Sequence, residues 1–293
     1  MFRRFFVIPV ALIAVSIISS CSLLNNPAKI KTYVEVKTTE GSFILGLYEG
    51  TPLHKDNFIK NSNENVYDST LIYSTIPNSI HKFGLKPGKK EEHLLNRTKD
   101  GSKINQEINP QLMNKTGAVG MLRANNDKNP EMQSDNYLFY LVEGIKTDEK
   151  LLKTLEAKRN APIIADYITV FLSEPGHQHY DDSLRLYKST GNKDNYRELY
   201  IQLTDSIKPR LKEDGIELFS LSKKQISTYT EFGGVPIYDG QYTIFGEIVA
   251  GIDILENLSS IKTGLYNKPV NDIYILSTRI IPKKEFKQVK KTY

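Results

Sequence analysis

Few residues in this 293-residue chain have the types and spacing that chemistry needs. His177, His179, Asp181 and Asp182 could be taken for a metal cluster. No cysteine and no spaced third ligand accompany them, so the segment reads as a polar loop, and neither a metal nor another cofactor is expected. The only cysteine, Cys21, rules out an internal disulfide and leaves stability to core burial.

The elements that must position these groups are of two kinds. Val34 to Tyr48 reads as two alternating strands about a Glu40-Gly41 turn, and Tyr238 to Glu247 as a strand following an Asp239-Gly240 hairpin turn. Thr51 and Pro52 start a helix, with Thr51 as N-cap and Pro52 at the first helical position, where its missing N–H costs nothing. From Ile145 to Thr230 the period changes to helical: Leu151, Leu152, Leu155, then Ile164, Ile168, Phe171, then Leu199, Leu203, Ile207. Helices are expected over 148–159, 161–172, 196–213 and 223–232, punctuated by Pro175, Gly176 and Gly191-Asn192.

At the N-terminus, Arg3 and Arg4 precede an apolar run from Phe5 to Ile18, too short to span a bilayer comfortably and built as a signal peptide over residues 1–20. Ile18-Ser19-Ser20-Cys21 resembles a lipobox, whose cysteine becomes the lipidated first residue of a bacterial lipoprotein. That implies a lipid-anchored tether over 21–31 and a place in the bacterial envelope, facing the periplasm. The alternative is an ordinary secretory signal with a stray thiol. With 39% hydrophobic and 25% charged residues, the rest is ordinary globular material. Removing Arg3 and Arg4 lowers the formal charge from +5 to +3, too little to imply nucleic acid. Residues 283–293, with Lys283, Lys284, Lys287, Lys290 and Lys291, form a basic tail, read as a solvated end or as a contact with anionic headgroups.

Several segments, in order, resemble the cyclophilins, the peptidyl-prolyl cis-trans isomerases. Thr51-Pro52 through Asn57-Phe58 is similar to the family's T-P-x-x-x-x-N-F helix. Gly117-Ala118-Val119-Gly120-Met121 and Leu138-Phe139-Tyr140-Leu141 resemble its G-x-L-x-M-A and S-Q-F-F-I strands, and Tyr238 to Glu247 its L-D-G-x-Y-T-V-F-G-x-V run. The match covers 32–144 and 230–282. It implies a mainly β fold with helices: a closed antiparallel barrel within one domain, 32–282, plugged at one end by Phe58 and interrupted by a large α-helical insertion over 145–229.

The resemblance also implies a chemistry. Rotation about an X–Pro bond is slow because amide resonance raises a barrier near ~20 kcal/mol. The isomerases lower it with an arginine beside an apolar proline pocket, in the sequence F-H-R-V-x-x-x-F-M-x-Q-G-G-D. The corresponding run here is Ile72 to Leu85, and the arginine position holds Ser74. The pocket phenylalanine position holds Ser79, the two glutamine positions Lys82 and Leu138, and the second phenylalanine position Tyr140. Ile237 and Tyr242 stand where a Trp or His and a His would be, and Met121 is retained on the expected pocket wall. The expected cavity is built around Met121, Tyr140 and Phe245. Arg123 or Lys82 could substitute for the missing donor, although the alternative is that both are solvated rim charges. His81 reads as a rim histidine, since isomerisation needs no proton transfer.

Two functions follow from the resemblance. One is a lipid-anchored isomerase of weak activity, acting on X–Pro bonds of exported proteins. The other is an inactive member that binds client peptides or a partner protein.

Overall fold

The computed structural model describes residues 26–91, 95 and 103–293. The signal segment, Cys21 and residues 22–25 of the expected tether lie outside the described residues. Among these residues no helix is long and apolar enough to cross a membrane.

The alternating segments form strands β1 (Ile30–Thr38), β2 (Gly41–Tyr48), β3 (Leu71–Thr75), β4 (Ile80–Leu85), β5 (Lys103–Ile104), β6 (Ala118–Met121), β7 (Ser134–Asp135), β8 (Phe139–Val142), β9 (Ile244–Ala250) and β10 (Ile273–Ile281). Eight close a barrel in the order β1-β10-β3-β4-β8-β6-β9-β2, while β5 and β7 pair separately. Closure leaves the sheet no free edge to template aggregation. The expected tether is shorter than its assigned range: Ile30 and Lys31 already lie in β1, with Ile30 opposite Tyr48.

Register decides which side chains fill the barrel. Ile72 opposes Phe83, Phe83 opposes Phe139, and Phe139 opposes Met121, so these four share the inward face. Helix α1 (Pro52–Asn63) adds Phe58, whose ring centroid lies 4.9 Å from Tyr67 and 5.3 Å from both Phe139 and Phe245. Thr51 is the N-cap of α1, but its hydroxyl makes no capping bond and is buried without a partner. A distant residue caps the helix instead. Glu107 accepts from the N–H groups of Leu53 and His54 at 3.1 and 3.0 Å, and its Oε2 lies 2.7 Å from His54 Nδ1. Burial pushes the Glu107 carboxyl up, but these bonds outweigh it and hold the group below its ordinary value.

Between β8 and β9 the chain leaves the barrel as four helices: α2 (Glu149–Ser173), α3 (Gln178–Ser189), α4 (Lys193–Glu213) and α5 (Lys223–Glu231). Two differ from the sequence reading. The segments 148–159 and 161–172 are one helix running through Pro162, held on both sides of the proline by buried Leu152 and Ile168. The polar segment with His177, His179, Asp181 and Asp182 is not a loop. His177 stands at the N-cap position of α3 without a side-chain capping bond and stacks on Phe171 of α2 at 3.9 Å, and Asp181 pairs with Arg185 one turn on. Among the described residues no group of three or more His, Cys, Asp or Glu could hold a metal ion.

After the barrel's α6 (Ile254–Ser259), the chain ends in α7 (Lys283–Val289). This tail is docked rather than free. Phe286 stacks on Tyr33 at 3.7 Å and Tyr293 Oη donates to Glu35 Oε1 at 2.9 Å, while the five lysines stay exposed.

Candidate peptide-binding site

The outward face of the same strands carries the site. Ser74 opposes Lys82, Lys82 opposes Tyr140, and Tyr140 opposes Gly120, which sets one row across β3, β4, β8 and β6. Gly120 is required there: a Cβ would stand 2.4 Å from the Tyr140 ring. Tyr140 is fully buried, its Oη donating to Asn114 Oδ1 at 2.7 Å, and Tyr238 and Tyr242 meet it edge-on at 6.3 and 5.5 Å. Beside this row opens a cavity of about 390 Å³, walled by Ile80, Leu122, Tyr238 and Tyr242 and rimmed by Lys82, Glu91 and Arg123. Its size and its mix of apolar wall with a few polar groups are those of a small-ligand site.

The cations at the rim already have partners. Lys82 Nζ donates to Glu91 Oε1 at 2.9 Å, and the Tyr73 hydroxyl donates to the same oxygen at 3.0 Å. All three nitrogens of Arg123 are engaged: Nε with the Gln241 carbonyl at 2.5 Å, Nη1 with the Ala124 carbonyl at 2.9 Å, Nη2 with Gln241 Oε1 at 3.2 Å. Burial draws the Arg123 guanidinium down from its ordinary value, but an arginine keeps its charge at neutral pH. Arg123 therefore works as a brace between β6 and the loop before β9. Its charge lies 5.2 Å over the Tyr242 ring.

The remaining expected residues fall in several places. Ser74 is buried on the row, opposite Lys82. Leu138 packs in the same outward cluster as Ile80 and Leu122. Ser79 is half-buried in the β3–β4 turn, its carbonyl accepting from the Glu143 and Gly144 amides. Ile237 is exposed at the far rim. Three expectations are corrected. Met121 faces the barrel core, because it opposes Phe139 rather than Tyr140; its successor Leu122 takes the cavity wall. Phe245 lies in that same core, so no cavity is built around Met121, Tyr140 and Phe245 together. His81 is not on the rim but fully buried. Glu143 Oε2 lies 3.2 Å from its Nε2 outside hydrogen-bond geometry, its carboxylate being taken by the Asn78 amide and the Ser259 hydroxyl. Burial pushes the imidazole down to about 4.

The Asp239-Gly240 segment also differs from its reading as a hairpin turn. A 3₁₀ turn, Pro236–Tyr238, precedes it, and the strand begins only at Ile244. Asp239 has φ −59° and ψ 134°, Gly240 has φ +70°, and the Gln241 amide donates to the Tyr238 carbonyl at 3.0 Å, the geometry of a type II turn. The Asp239 carboxylate is a hub. Its Oδ1 accepts from the Asn114 amide and side chain and from the Tyr229 hydroxyl at 2.7 Å, and its Oδ2 from Gln225 at 2.9 Å. Two of those donors belong to α5, so the insertion is fastened to the loop that walls the cavity.

Glu91, Leu122 and Tyr238 were not singled out by the sequence. Leu122 could have been found by continuing the β6 alternation one residue beyond Met121. Glu91 carries no local signal, since only the folded loop brings it to Lys82.

The sequence model of the family described as cyclophilin type peptidyl-prolyl cis-trans isomerase/CLD matches residues 33–152 and 188–280. The chain belongs to that family. It is 39% identical over 56 residues to a protein of Staphylococcus saprophyticus named as a peptidyl-prolyl cis-trans isomerase, a match spanning 19% of this chain and 28% of that one. It is 28% identical over 86 residues to peptidyl-prolyl cis-trans isomerase-like 1 of Gibberella zeae, spanning 28% of this chain and 53% of the relative. The aligned segments thus span between about a quarter and a half of these relatives' lengths. Among solved structures the chain is similar to a cyclophilin type isomerase of Cryptosporidium parvum at 14% identity and a TM-score of 0.47, covering 85% of this chain and 97% of that one.

Proposed function

We propose that this protein binds proline-containing segments in the cavity beside Ile80, Leu122, Tyr238 and Tyr242, and isomerises their X–Pro bonds only slowly. The supporting observation is the mismatch between wall and donor. An apolar wall that can receive a prolyl ring is present, while the row that would supply a donor to the prolyl nitrogen reads Ser74, with Lys82 held by Glu91 and Arg123 held by Gln241. In the twisted state that nitrogen becomes pyramidal and accepts a hydrogen bond. Loss of one pre-organised donor of this kind costs on the order of 10²–10³ in rate. The clients we infer are exported proteins at the bacterial envelope, reached by a chain anchored through lipidated Cys21. Membrane fractionation checks the anchor: Cys21→Ala should leave the membrane pellet, and a variant retained like wild type rejects lipidation.

A protease-coupled proline isomerisation assay on the purified protein tests the activity. Wild type should be slow and Ser74→Arg markedly faster, whereas wild-type turnover at a level that Arg123→Ala abolishes would make Arg123 the donor and overturn the missing-donor argument.

A further inference from the structure

A second cavity, of about 450 Å³, adjoins the first and shares Arg123, Tyr238 and Tyr242 with it. Its charged lining differs in kind. The first cavity balances Lys82, Lys128 and Arg123 against Glu91 and Asp127, whereas the second is lined by two guanidinium groups, Arg123 and Arg159, and by no carboxylate. Arg159 comes from α2 in the insertion. Its Nη1 donates to the carbonyls of Asp239 at 2.7 Å and Ile237 at 3.2 Å, and its guanidinium lies 3.8 Å over the Phe219 ring. This fixes the plane of the fork. Among the described residues the bonds of Arg159 run through Nη1. Arg159 also lines a separate cavity with Asp239 and Glu217, where the Asp239 carboxylate is taken by its own donors from Asn114, Tyr229 and Gln225.

A guanidinium held through Nη1 keeps Nη2 and Nε as donors, and on the wall of a carboxylate-free cavity it is suited to a carboxylate, which it can receive bidentately. Tyr238 and Tyr242, with ring centroids 5.3 Å apart, are the partition between the cavities. About two residues of extended chain, at roughly 3.3 Å each, cross such a wall. We propose that the insertion supplies, through Arg159, a carboxylate-reading subsite that selects client segments with Asp or Glu two or three residues from the proline. The inference rests on reading the first cavity as the prolyl site.

The test measures anisotropy binding of labelled peptides to the purified full chain: proline peptides with Glu placed two or three residues to either side, the matching Gln peptides, and a proline-free control. At low salt the best Glu peptide should bind about 5-fold tighter than its Gln partner, the scale of a partly exposed charge pair. Salt near ~0.5 M should remove that advantage. Arg159→Gln should bring the Glu-to-Gln ratio to one, the ratio being the readout because the loop that Nη1 pins serves both peptides alike, and Arg159→Lys should give an intermediate ratio because charge survives without the fork. Equal binding of Glu and Gln peptides by wild type, both above the proline-free control, overturns the subsite and spares the prolyl site. Failure of every peptide to exceed that control overturns both. An equal loss for both peptides in Arg159→Gln reduces Arg159 to a pin on the loop and also overturns the proposal.

Discussion

The barrel and the insertion are assembled by opposite rules. The barrel pairs segments far apart in sequence, β1 with β10 most of all, and fills itself with aromatic rings at zero exposure. The insertion is local. Helices α2, α3 and α4 follow one another and bury a small aliphatic set of their own, among them Ile168, Leu199, Leu203 and Ile207. What joins the two is a narrow apolar seam of Met113, Leu152, Leu221 and Tyr229 and the polar hub on Asp239. A fold made this way can hold its barrel rigid while the insertion tunes one loop, and that loop is a wall of the candidate site.

The largest effects should separate the two cores. Phe139→Ala removes a ring stacked on Phe83 at 4.9 Å and touching Phe58 and Tyr67, and should cost about 3–5 kcal/mol, loosening the whole barrel. Leu203→Ala should cost about 2–4 kcal/mol, read in α2 to α4 first. Hydrogen exchange resolved by segment checks this. If Leu203→Ala raises exchange as much in β4 and β8 as in α4, the two cores form one cooperative unit and the comparison fails.

Acid should strike the barrel through His81. It titrates near 6.5 in the unfolded chain and is pushed down to about 4 in the fold. Above pH 6.5 neither state takes a proton at His81. As pH falls towards 4 only the unfolded chain does, so stability drops across that window by about 3 kcal/mol and then levels. Glu107, held below its ordinary value, adds a loss of the same sign below pH 4.5, where the unfolded carboxyl protonates first. Denaturant midpoints at pH 7 and pH 4.5 measure the His81 part. His81→Leu should flatten the difference, and an unchanged slope in that variant would falsify the assignment.

The sequence carried the barrel further than the site because strand pairing leaves a period-2 trace and side-chain partnership does not. Val34 to Tyr48 is legible as a hairpin since alternation and the Glu40-Gly41 turn agree, and β1 and β2 pair there. Met121 was misplaced by one residue, which in a strand is a change of face: parity within β6 is visible, but its register against β8 is set by tertiary contact. Helix α3 was hidden because its first turn is polar and buries only Leu184. The cap on α1 was assigned to Thr51 since local rules look at the nearest side chain, whereas Glu107 arrives from a separate loop. Lys82 and Arg123 were visible as donors, but their engagement with Glu91 and Gln241 needs the folded loops.

The smallest and most specific prediction concerns the hub. Asp239→Asn keeps shape and one acceptor but replaces the other oxygen with an NH₂ group, which must face either Gln225 Nε2 or the cluster of the Asn114 and Tyr229 donors. One donor–donor clash and the loss of charge assistance should cost about 1–2 kcal/mol. Because Tyr229 and Gln225 lie on α5 and Arg159 holds the Asp239 carbonyl from α2, the loss should appear as faster exchange in α5 and in residues 238–241, with β4 and β8 unchanged. Peptide affinity should fall by a few-fold through the displaced Tyr238 and Tyr242 wall. Protection lost evenly over the barrel would mean that Asp239 stabilises the fold as a whole, and would remove the distinction between a rigid barrel and an insertion that sets one wall of its site.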